Sequence, residues 1–255
     1  MAAKEETKKL QLGVFANDEE HDTVQNGSSF CTKLELYCLV AGIPFEKPIL
    51  KAGEMGPRGK MPFAIFPSGE IVPDSAKIIE KLQGDDTSNN IDAQLTPDQL
   101  VISRLLITTL EESLYFVLVY FAWQDEANWP KTKASFFGGV PWFLRGTISR
   151  GARKSLVKAL HGQGMGRRPE EEIVSIAKQI IDDTSFLLGE RKNLFNTEKL
   201  TLADIVLYSM LEQFAYKDLP NNPVGEYLKT KANLMAFTDA VSSEYFPKIH
   251  ANRNK

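Results

Sequence analysis

The hydrophobic pattern changes about a third of the way along this 255-residue chain. Before that point, short apolar runs alternate with polar segments that contain Gly and Pro, as is typical of strands and their turns. Such runs over 9–16, 44–51 and 61–66 predict three strands. Apolar positions at helical spacing over 31–41 predict a helix between the first two. This order favours a right-handed crossover that joins two parallel strands.

A hairpin and a second helix complete this first part of the chain. Pro67-Ser68-Gly69 is a turn sequence, so residues 70–72 are predicted to pair with the strand that precedes it. A helix with one apolar face is predicted from Asp74, and Gly84 ends it. The predicted order is therefore βαβ followed by ββα, an α/β domain.

Beyond this point the pattern becomes helical. Residues 85–98 are rich in Asp, Asn, Ser and Thr and are predicted to be a linker. Apolar residues recur with helical period in most of the remainder, which predicts an all-helical second domain. The predicted helices cover 100–123, parts of 131–160, 170–188, 202–216 and 233–243. The predicted division is 9–84, 85–98 and 99–250, and 255 residues suit two domains.

Composition argues against several classes of protein. A hydrophobic share of 43%, a charged share of 25% and a net charge of −3 give no global excess that would attract nucleic acid or a membrane. Residues 1–9 carry charges of both signs and no apolar run, so no secretory signal is predicted and a cytoplasmic protein is expected. The longest apolar stretch, 113–123, is about half a membrane span. Three scattered histidines indicate no metal site.

Three short features carry candidate chemistry. Ser28-Ser29 stands before the first predicted helix, Met61-Pro62 opens a strand, and Asp74-Ser75 opens the second helix. Taken singly, serine and aspartate at such positions are common helix caps that stabilise by about 1 kcal/mol. Most X–Pro bonds, similarly, are trans. The order and spacing of all three features together indicate more than helix caps and an ordinary proline.

Together these features resemble the N-terminal, thioredoxin-like domain of the glutathione transferases. In that family a cis-proline, here Pro62, exposes the backbone of the preceding residue, here Met61, to the cysteinyl part of glutathione. The acid-Ser pair at the next helix holds the γ-glutamyl end, with Ser75 on its carboxylate and Asp74 on its amine. A helix N-terminus suits a carboxylate because it offers free N–H donors and partial positive charge.

The resemblance also implies a catalytic hydroxyl at the start of the first helix. Ser28 replaces the first cysteine of the Cys-x-x-Cys pair of thioredoxin-like folds, as in serine-type transferases. It is the first candidate to donate a hydrogen bond to the glutathione sulfur, and Ser29 is the second; a cap without catalytic duty is the alternative. Cys31 aligns with the second, usually buried cysteine, or it could form a mixed disulfide with glutathione. Phe15 excludes a tyrosine hydroxyl at the strand end.

Further binding residues follow from the same resemblance. Lys60 is a candidate for the glycyl carboxylate of glutathione or a solvated surface lysine, and Lys51 is a weaker candidate. Aromatic side chains of the second domain would suit an apolar pocket for the second substrate, although such side chains are more often core. The candidates are Tyr115, Tyr120 and Trp142.

Two segments of the second domain indicate roles outside catalysis. Thr201 and Asp204 have the spacing of a capping box, which the family also uses to start a core helix. The stretch from Arg145 to Arg168 carries seven basic residues and no acidic one. A solvated helical face is one interpretation of this stretch, and a site for an anionic partner or a membrane surface is the other.

Residues 31–35 and 41–45 resemble the branch of the family that contains the metaxins and the failed-axon-connections proteins. The chain is also similar to fungal-type members that open the epoxide of trichothecenes. The resemblance implies a detoxifying transferase that joins the glutathione thiolate to a hydrophobic electrophile: an epoxide, an activated alkene or a halide. The alternative is a non-catalytic scaffold for protein interaction or import. Pairing into a homodimer is left open.

Overall fold

The computed structural model describes residues 9–50, 54–253 and 255. The expectation about secretion concerns residues 1–8, which lie outside these ranges together with the candidate Lys51. The secondary structure is dominated by helices, and one small sheet lies near the start of the chain.

The first part of the chain forms a four-stranded mixed sheet with two helices. The strands are β1 (Leu10–Gly13), β2 (Phe45–Glu46), β3 (Phe63–Ile65) and β4 (Ile71–Pro73), and the helices are α1 (Ser29–Ala41) and α2 (Ser75–Asp85). The sheet order is β2-β1-β3-β4; β1 pairs with β2 in parallel, and the other pairs are antiparallel. The predicted thioredoxin-like arrangement is confirmed, with strands shorter than the apolar runs that predicted them.

The second part of the chain is built of helices, most of them joined by short connections; residues 189–201 form a longer one. They are α3 (Pro97–Gln124), α4 (Trp129–Phe137), α5 (Trp142–Gln163), α6 (Glu170–Leu188), α7 (Leu202–Tyr216), α8 (Pro223–Lys229), α9 (Ala232–Tyr245) and α10 (Pro247–Asn252). Sequence periodicity missed α8 and α10, because a helix of two turns shows too few repeats. The predicted domain boundaries themselves stay a prediction.

Helix α3 is long and irregular. It contains two π-helical segments, Leu110–Leu114 and Tyr120–Gln124. With 28 residues and a mean hydropathy of 1.5 in its most apolar window, α3 is long and apolar enough to cross a membrane. Core helices of soluble proteins pass the same test, and α3 buries Leu110, Leu114 and Phe121 against the rest of the chain. The finding is therefore weak evidence for a membrane span.

Helices α1 and α7 pack against each other at the centre of the molecule. Almost every side chain of α7 is buried, which is typical of a core helix that is apolar on all sides. The predicted capping box is confirmed: Thr201 Oγ1 accepts a hydrogen bond from the Asp204 N–H at 3.4 Å, and Asp204 Oδ2 accepts from the Thr201 N–H at 2.8 Å. This central contact brings polar side chains of α7 to the loop before α1.

Candidate functional site

The sheet register brings the three predicted features to one end of the sheet. Gly13, Phe63 and Pro73 are neighbours in one row across β1, β3 and β4. The chain enters β3 from Met61-Pro62 at this end and leaves β4 into Asp74-Ser75. The loop that carries Ser28 is held at the same end, because Asn26 Nδ2 donates to the carbonyl of Phe15, just after β1, at 2.7 Å. Antiparallel pairing therefore gathers residues that are far apart in sequence.

The start of β3 has the geometry that the family resemblance implies. The Met61–Pro62 peptide bond is cis. Within the described residues, neither the N–H nor the C=O of Met61 has a hydrogen-bond partner. The Asp74 N–H donates to the Pro62 carbonyl at 3.2 Å, which links this segment directly to the start of α2. The unpaired peptide groups of Met61 thus suit the backbone of a peptide ligand.

Asp74 and Ser75 form the N-terminus of α2. The Asp74 carboxylate accepts a hydrogen bond from the Ala76 N–H at 2.9 Å, so the residue caps the helix as well. Its φ is 79°, a left-handed conformation that non-glycine residues seldom adopt and that tends to occur at functional sites. Ser75 is buried, whereas Asp74 is exposed. This helix end can offer free N–H donors to a carboxylate and a carboxylate to an amine.

Of the two serines at the start of α1, Ser28 is half-buried and Ser29 is buried. Ser28 is the N-cap residue, but its side chain makes no capping hydrogen bond. Its backbone N–H donates to Asn26 Oδ1 at 3.1 Å, which fixes the orientation of the residue. Ser29 is 1% exposed, and its Oγ has no hydrogen-bond partner among the described residues. Ser28 therefore remains the better candidate to reach a thiol.

The two cysteines are free and buried. Burial raises the pKa of Cys31 to about 12, although the Phe15 backbone and the Ser28 hydroxyl oppose this effect. Burial likewise raises the pKa of Cys38 to about 12. Thiols of this kind stay protonated at neutral pH and are poor nucleophiles. A core role for Cys31 is thus favoured over a mixed disulfide.

Three consecutive residues before Ser28 are held by side chains of α7 and the residue that follows it. The Gln25 N–H donates to Glu212 Oε2 at 3.1 Å. Gln213 Nε2 donates to the carbonyl of Asn26 at 2.8 Å. Lys217 Nζ donates to the carbonyl of Gly27 at 3.3 Å. We call Gln25 to Ser28 the serine loop; the second domain holds its backbone.

The Glu212 carboxylate is the centre of a buried network. It accepts hydrogen bonds from Thr32 Oγ1 at 2.8 Å and from Tyr208 OH at 3.1 Å. Arg253 Nη2 lies 3.0 Å from its Oε2 and is itself almost fully buried. Burial raises the pKa of Glu212, and the charge of Arg253 opposes this effect. The serine loop is thus attached to a charge pair that water hardly reaches.

Lys217 is the cationic residue that contacts the serine loop directly, through the carbonyl of Gly27. Burial lowers the pKa of Lys217 to about 8, an effect that Glu212 opposes. Its Nζ also lies 5.1 Å from the centre of the Phe136 ring, which packs edge-on against Phe15. Burial therefore makes the Lys217 ammonium group easier to deprotonate than that of an exposed lysine.

The structure separates the three aromatic residues predicted for the second substrate. Tyr115 packs against Phe30 at the start of α1, with ring centres 4.8 Å apart. Burial raises the pKa of Tyr115, and the neighbouring Cys31 adds to this effect. The Tyr120 hydroxyl instead points to Glu170 Oε2, 3.5 Å away. Tyr115 alone of the three therefore contacts the region of the serine loop.

Trp142 lies apart from that cluster. It is 84% exposed at the start of α5, and its aromatic partner is Phe143. Lys60 is also exposed, next to Met61. The roles predicted for Lys60 and Trp142 in binding stay predictions.

Sequence analysis missed the residues that hold the serine loop. Glu212 and Gln213 are polar residues inside a helix that is otherwise almost entirely apolar. Buried polar side chains need hydrogen-bond partners. These polar residues within an apolar helix could have indicated buried hydrogen bonds. The sequence does not indicate which distant segment supplies their partners.

Comparison with known families gives two matches along the chain. The model of the glutathione S-transferase N-terminal domain matches residues 29–128. The model of the glutathione S-transferase C-terminal domain matches residues 177–241. Ser28 lies immediately before the first match, so the family model does not include it. The support for its predicted role is the geometry at the start of α1.

Relatives and one solved structure agree with these matches. The isoprene-epoxide–glutathione S-transferase of Rhodococcus sp. (strain AD45) is 30% identical over 224 residues, which cover 86% of this chain and 92% of that protein. Metaxin-1 of Macaca fascicularis is 26% identical over 83% of this chain and 68% of its own length. A glutathione S-transferase of Ceriporiopsis subvermispora, solved in complex with glutathione, has a TM-score of 0.63 at 14% identity, covering 94% and 98% of the two chains. That likeness shows the shared fold.

Proposed function

This chain belongs to the glutathione S-transferase family, and we propose that it joins glutathione to a small hydrophobic electrophile that carries an epoxide. The observation that carries the proposal is the convergence of Ser28, Met61-Pro62 and Asp74-Ser75 at one end of the sheet. Each group has a chemically distinct task there, and each is presented by a different part of the chain.

The proposed task of Ser28 is to stabilise the thiolate of glutathione. A free thiol has a pKa near 8.5 and is only a few per cent ionised at neutral pH. The Ser28 hydroxyl and the positive end of α1 both favour the charged sulfur. The thiolate attacks one carbon of the epoxide; a C–S bond forms, the C–O bond breaks, and the resulting alkoxide takes a proton from water.

The proposed task of the other two features is to hold the tripeptide. The unpaired peptide groups of Met61 would pair with the cysteinyl backbone, and the N-terminus of α2 would take the γ-glutamyl end. Tyr115, packed on Phe30 beside the serine loop, is the proposed contact for the apolar second substrate. An epoxide is the preferred class because a relative that matches 86% of this chain is named for one.

The test has two stages. Calorimetry with glutathione measures binding, and mass spectrometry measures thioether formation with a panel of epoxides that includes isoprene epoxide and a trichothecene. Ser28→Ala is expected to lower turnover more than about tenfold, because loss of the donor raises the pKa of the bound thiol and leaves less of it ionised at neutral pH. Glutathione affinity should change little. Ser155→Ala, at an exposed serine of α5, is the control.

Three outcomes would change the proposal. Turnover that survives in Ser28→Ala but not in Ser29→Ala would move the catalytic role one residue along. Glutathione binding without turnover of any epoxide would overturn the proposed substrate class. Absence of both binding and turnover would favour the non-catalytic scaffold, to which the similarity to metaxin-1 also points.

A further inference from the structure

The exposed side of α5 carries cationic side chains that the proposed catalysis does not use. Leu160 and Ser149 of this helix are buried, which defines its inward side. Helical spacing places the side chains of the opposite side in two adjacent stripes. Phe143, Arg150, Lys154 and Lys158 form one stripe, and Leu144 and Ile148 form the other. Trp142 lies two turns before Ser149 and outside both stripes, but it begins the helix and is exposed there. We call the two stripes and Trp142 the outward face.

The first turn of α5 exposes large apolar side chains. Trp142 is 84% exposed, Phe143 65% and Leu144 44%. Single exposed apolar residues are common on protein surfaces, but three in succession at a helix end are not explained by folding. Trp and Phe side chains favour the boundary between water and lipid, where the ring is buried and polar groups remain wet.

The middle of the outward face is cationic. Within the described residues, Arg150, Lys154 and Lys158 make no ion pair. The acidic side chain that faces this region is Glu126, which shares a surface depression with Arg150 and Lys154. Glu126 is already paired with Arg153, at 2.9 Å. The cations of the outward face are therefore free to meet negative charge from outside.

The sequence around α5 strengthens this charge asymmetry. No acidic residue occurs between Ala127 and Pro169, although the whole chain has a net charge of −3. A local positive surface on a negative protein is not the result of overall composition. Its charge complements a surface that carries many negative groups.

We propose that the outward face of α5 docks on an anionic lipid membrane, with Trp142, Phe143 and Leu144 inserted among the headgroups and Arg150, Lys154 and Lys158 over the lipid phosphates. A lipid surface suits both halves of the face, because it offers apolar contact and negative charge side by side. An acidic protein would match the cations but would leave the three apolar side chains unexplained. This inference does not depend on the proposed catalysis.

The experiment uses the full chain and vesicles of phosphatidylcholine with or without about one third phosphatidylserine. Fluorescence of Trp142 is expected to shift to the blue and to be quenched by brominated lipid, because Trp123 and Trp129 are far less exposed. Trp142→Phe should abolish that signal while co-sedimentation with the vesicles persists. Binding should weaken at high salt, because salt screens exposed charges.

Matched variants test each half of the outward face. Lys154→Gln/Lys158→Gln is expected to lower binding about 25-fold, since each cation near an anionic surface contributes about fivefold. Lys192→Gln/Lys199→Gln removes the same charge from exposed lysines elsewhere and should leave binding near the wild-type level. Trp142→Ala/Phe143→Ala is expected to weaken binding at least tenfold.

A control for exposed aromatic residues is available on α6. Phe186 is 87% exposed, and Phe186→Ala should not change binding.

Several results would overturn the proposal. The chain could fail to bind vesicles that contain phosphatidylserine, or it could bind pure phosphatidylcholine vesicles equally well. The two lysine double variants could also lose binding to the same extent. A Trp142 signal that changes with protein concentration in the absence of lipid would indicate a second copy of the chain as the occupant. Capture by an acidic peptide with no response to vesicles would assign the face to a protein partner.

Discussion

The serine loop and the outward face of α5 differ in how their polar groups are satisfied. In the serine loop, three successive backbone groups are each bound by a side chain from the other domain. On the outward face, charged side chains have no partner within the described chain. The first arrangement holds one geometry, which a catalytic hydroxyl requires, and the second leaves groups available to something outside the molecule. A buried polar network and an exposed cationic face should therefore respond very differently to the same substitution.

The largest expected difference comes from removing one negative charge in each region. Glu212→Gln leaves Arg253 buried without its counter-charge, so we expect a loss of about 3 kcal/mol or more in the free energy of unfolding. Glu126→Gln removes the partner of Arg153 at the surface and should cost under about 1 kcal/mol. Urea denaturation of both variants makes the comparison. If both variants lost the same free energy of unfolding, the buried Glu212 network would contribute no more to stability than a surface ion pair.

A second comparison removes the amide that holds the serine loop and, as a control, an amide at the exposed end of α5. Gln213→Leu deprives the Asn26 carbonyl of its donor, and an unsatisfied buried group costs about 1–3 kcal/mol. Because this bond holds the serine loop, we also expect kcat/KM for thioether formation to fall about tenfold. Gln163→Leu, at the exposed end of α5, should leave turnover unchanged. Wild-type turnover in Gln213→Leu would mean that the loop keeps its geometry without this bond.

The third comparison concerns pH. Burial lowers the pKa of Lys217 from 10.5 to about 8, so between these values the unfolded chain holds a proton that the folded chain lacks. The free energy of unfolding should therefore rise with pH across this window through the contribution of Lys217. Lys217→Met should lack that contribution, whereas Lys154→Met should retain it. Urea titrations at pH 7.5 and at about pH 10 measure the difference; identical slopes in all three proteins would contradict the burial of the ammonium group.

The smallest expected effect is that of Lys154→Gln/Lys158→Gln on the isolated protein. Because neither lysine has a partner in the described chain, the free energy of unfolding should change by no more than about 0.5 kcal/mol. Thioether formation should also be unchanged. A clear loss of stability would show that these lysines serve the fold and would weaken the comparison between the two regions.

Much of the fold could be predicted because its signals are local. Strand and helix periodicities are visible within ten residues, and they predicted the βαβ and ββα order as well as the bounds of α6 and α7. The features of the candidate site were visible for the same reason. Met61-Pro62 and Asp74-Ser75 stand at the ends of such elements, where turn and cap residues are recognisable.

The aromatic residues show where local reasoning fails. Tyr115, Tyr120 and Trp142 share the same apolar character, and nothing in the sequence separates them. Tyr115 and Tyr120 lie in α3, next to and within its π-helical segments, whereas Trp142 begins α5. Tyr115 contacts Phe30, Tyr120 is directed to Glu170, and Trp142 is exposed.

By itself the sequence determined the family, the order of elements, the Thr201–Asp204 capping box and the residues that meet at the end of the sheet. Each of these depends on neighbours a few residues apart. The tertiary structure alone decided that Glu212 and Gln213 hold the serine loop across 187 residues of sequence. It also decided that Arg153 of α5 binds the Trp123 carbonyl and Glu126, whereas Arg150, Lys154 and Lys158 make no ion pair within the described residues. Such pairings arise when helices pack, because packing selects which face of each helix is buried and which partner it meets.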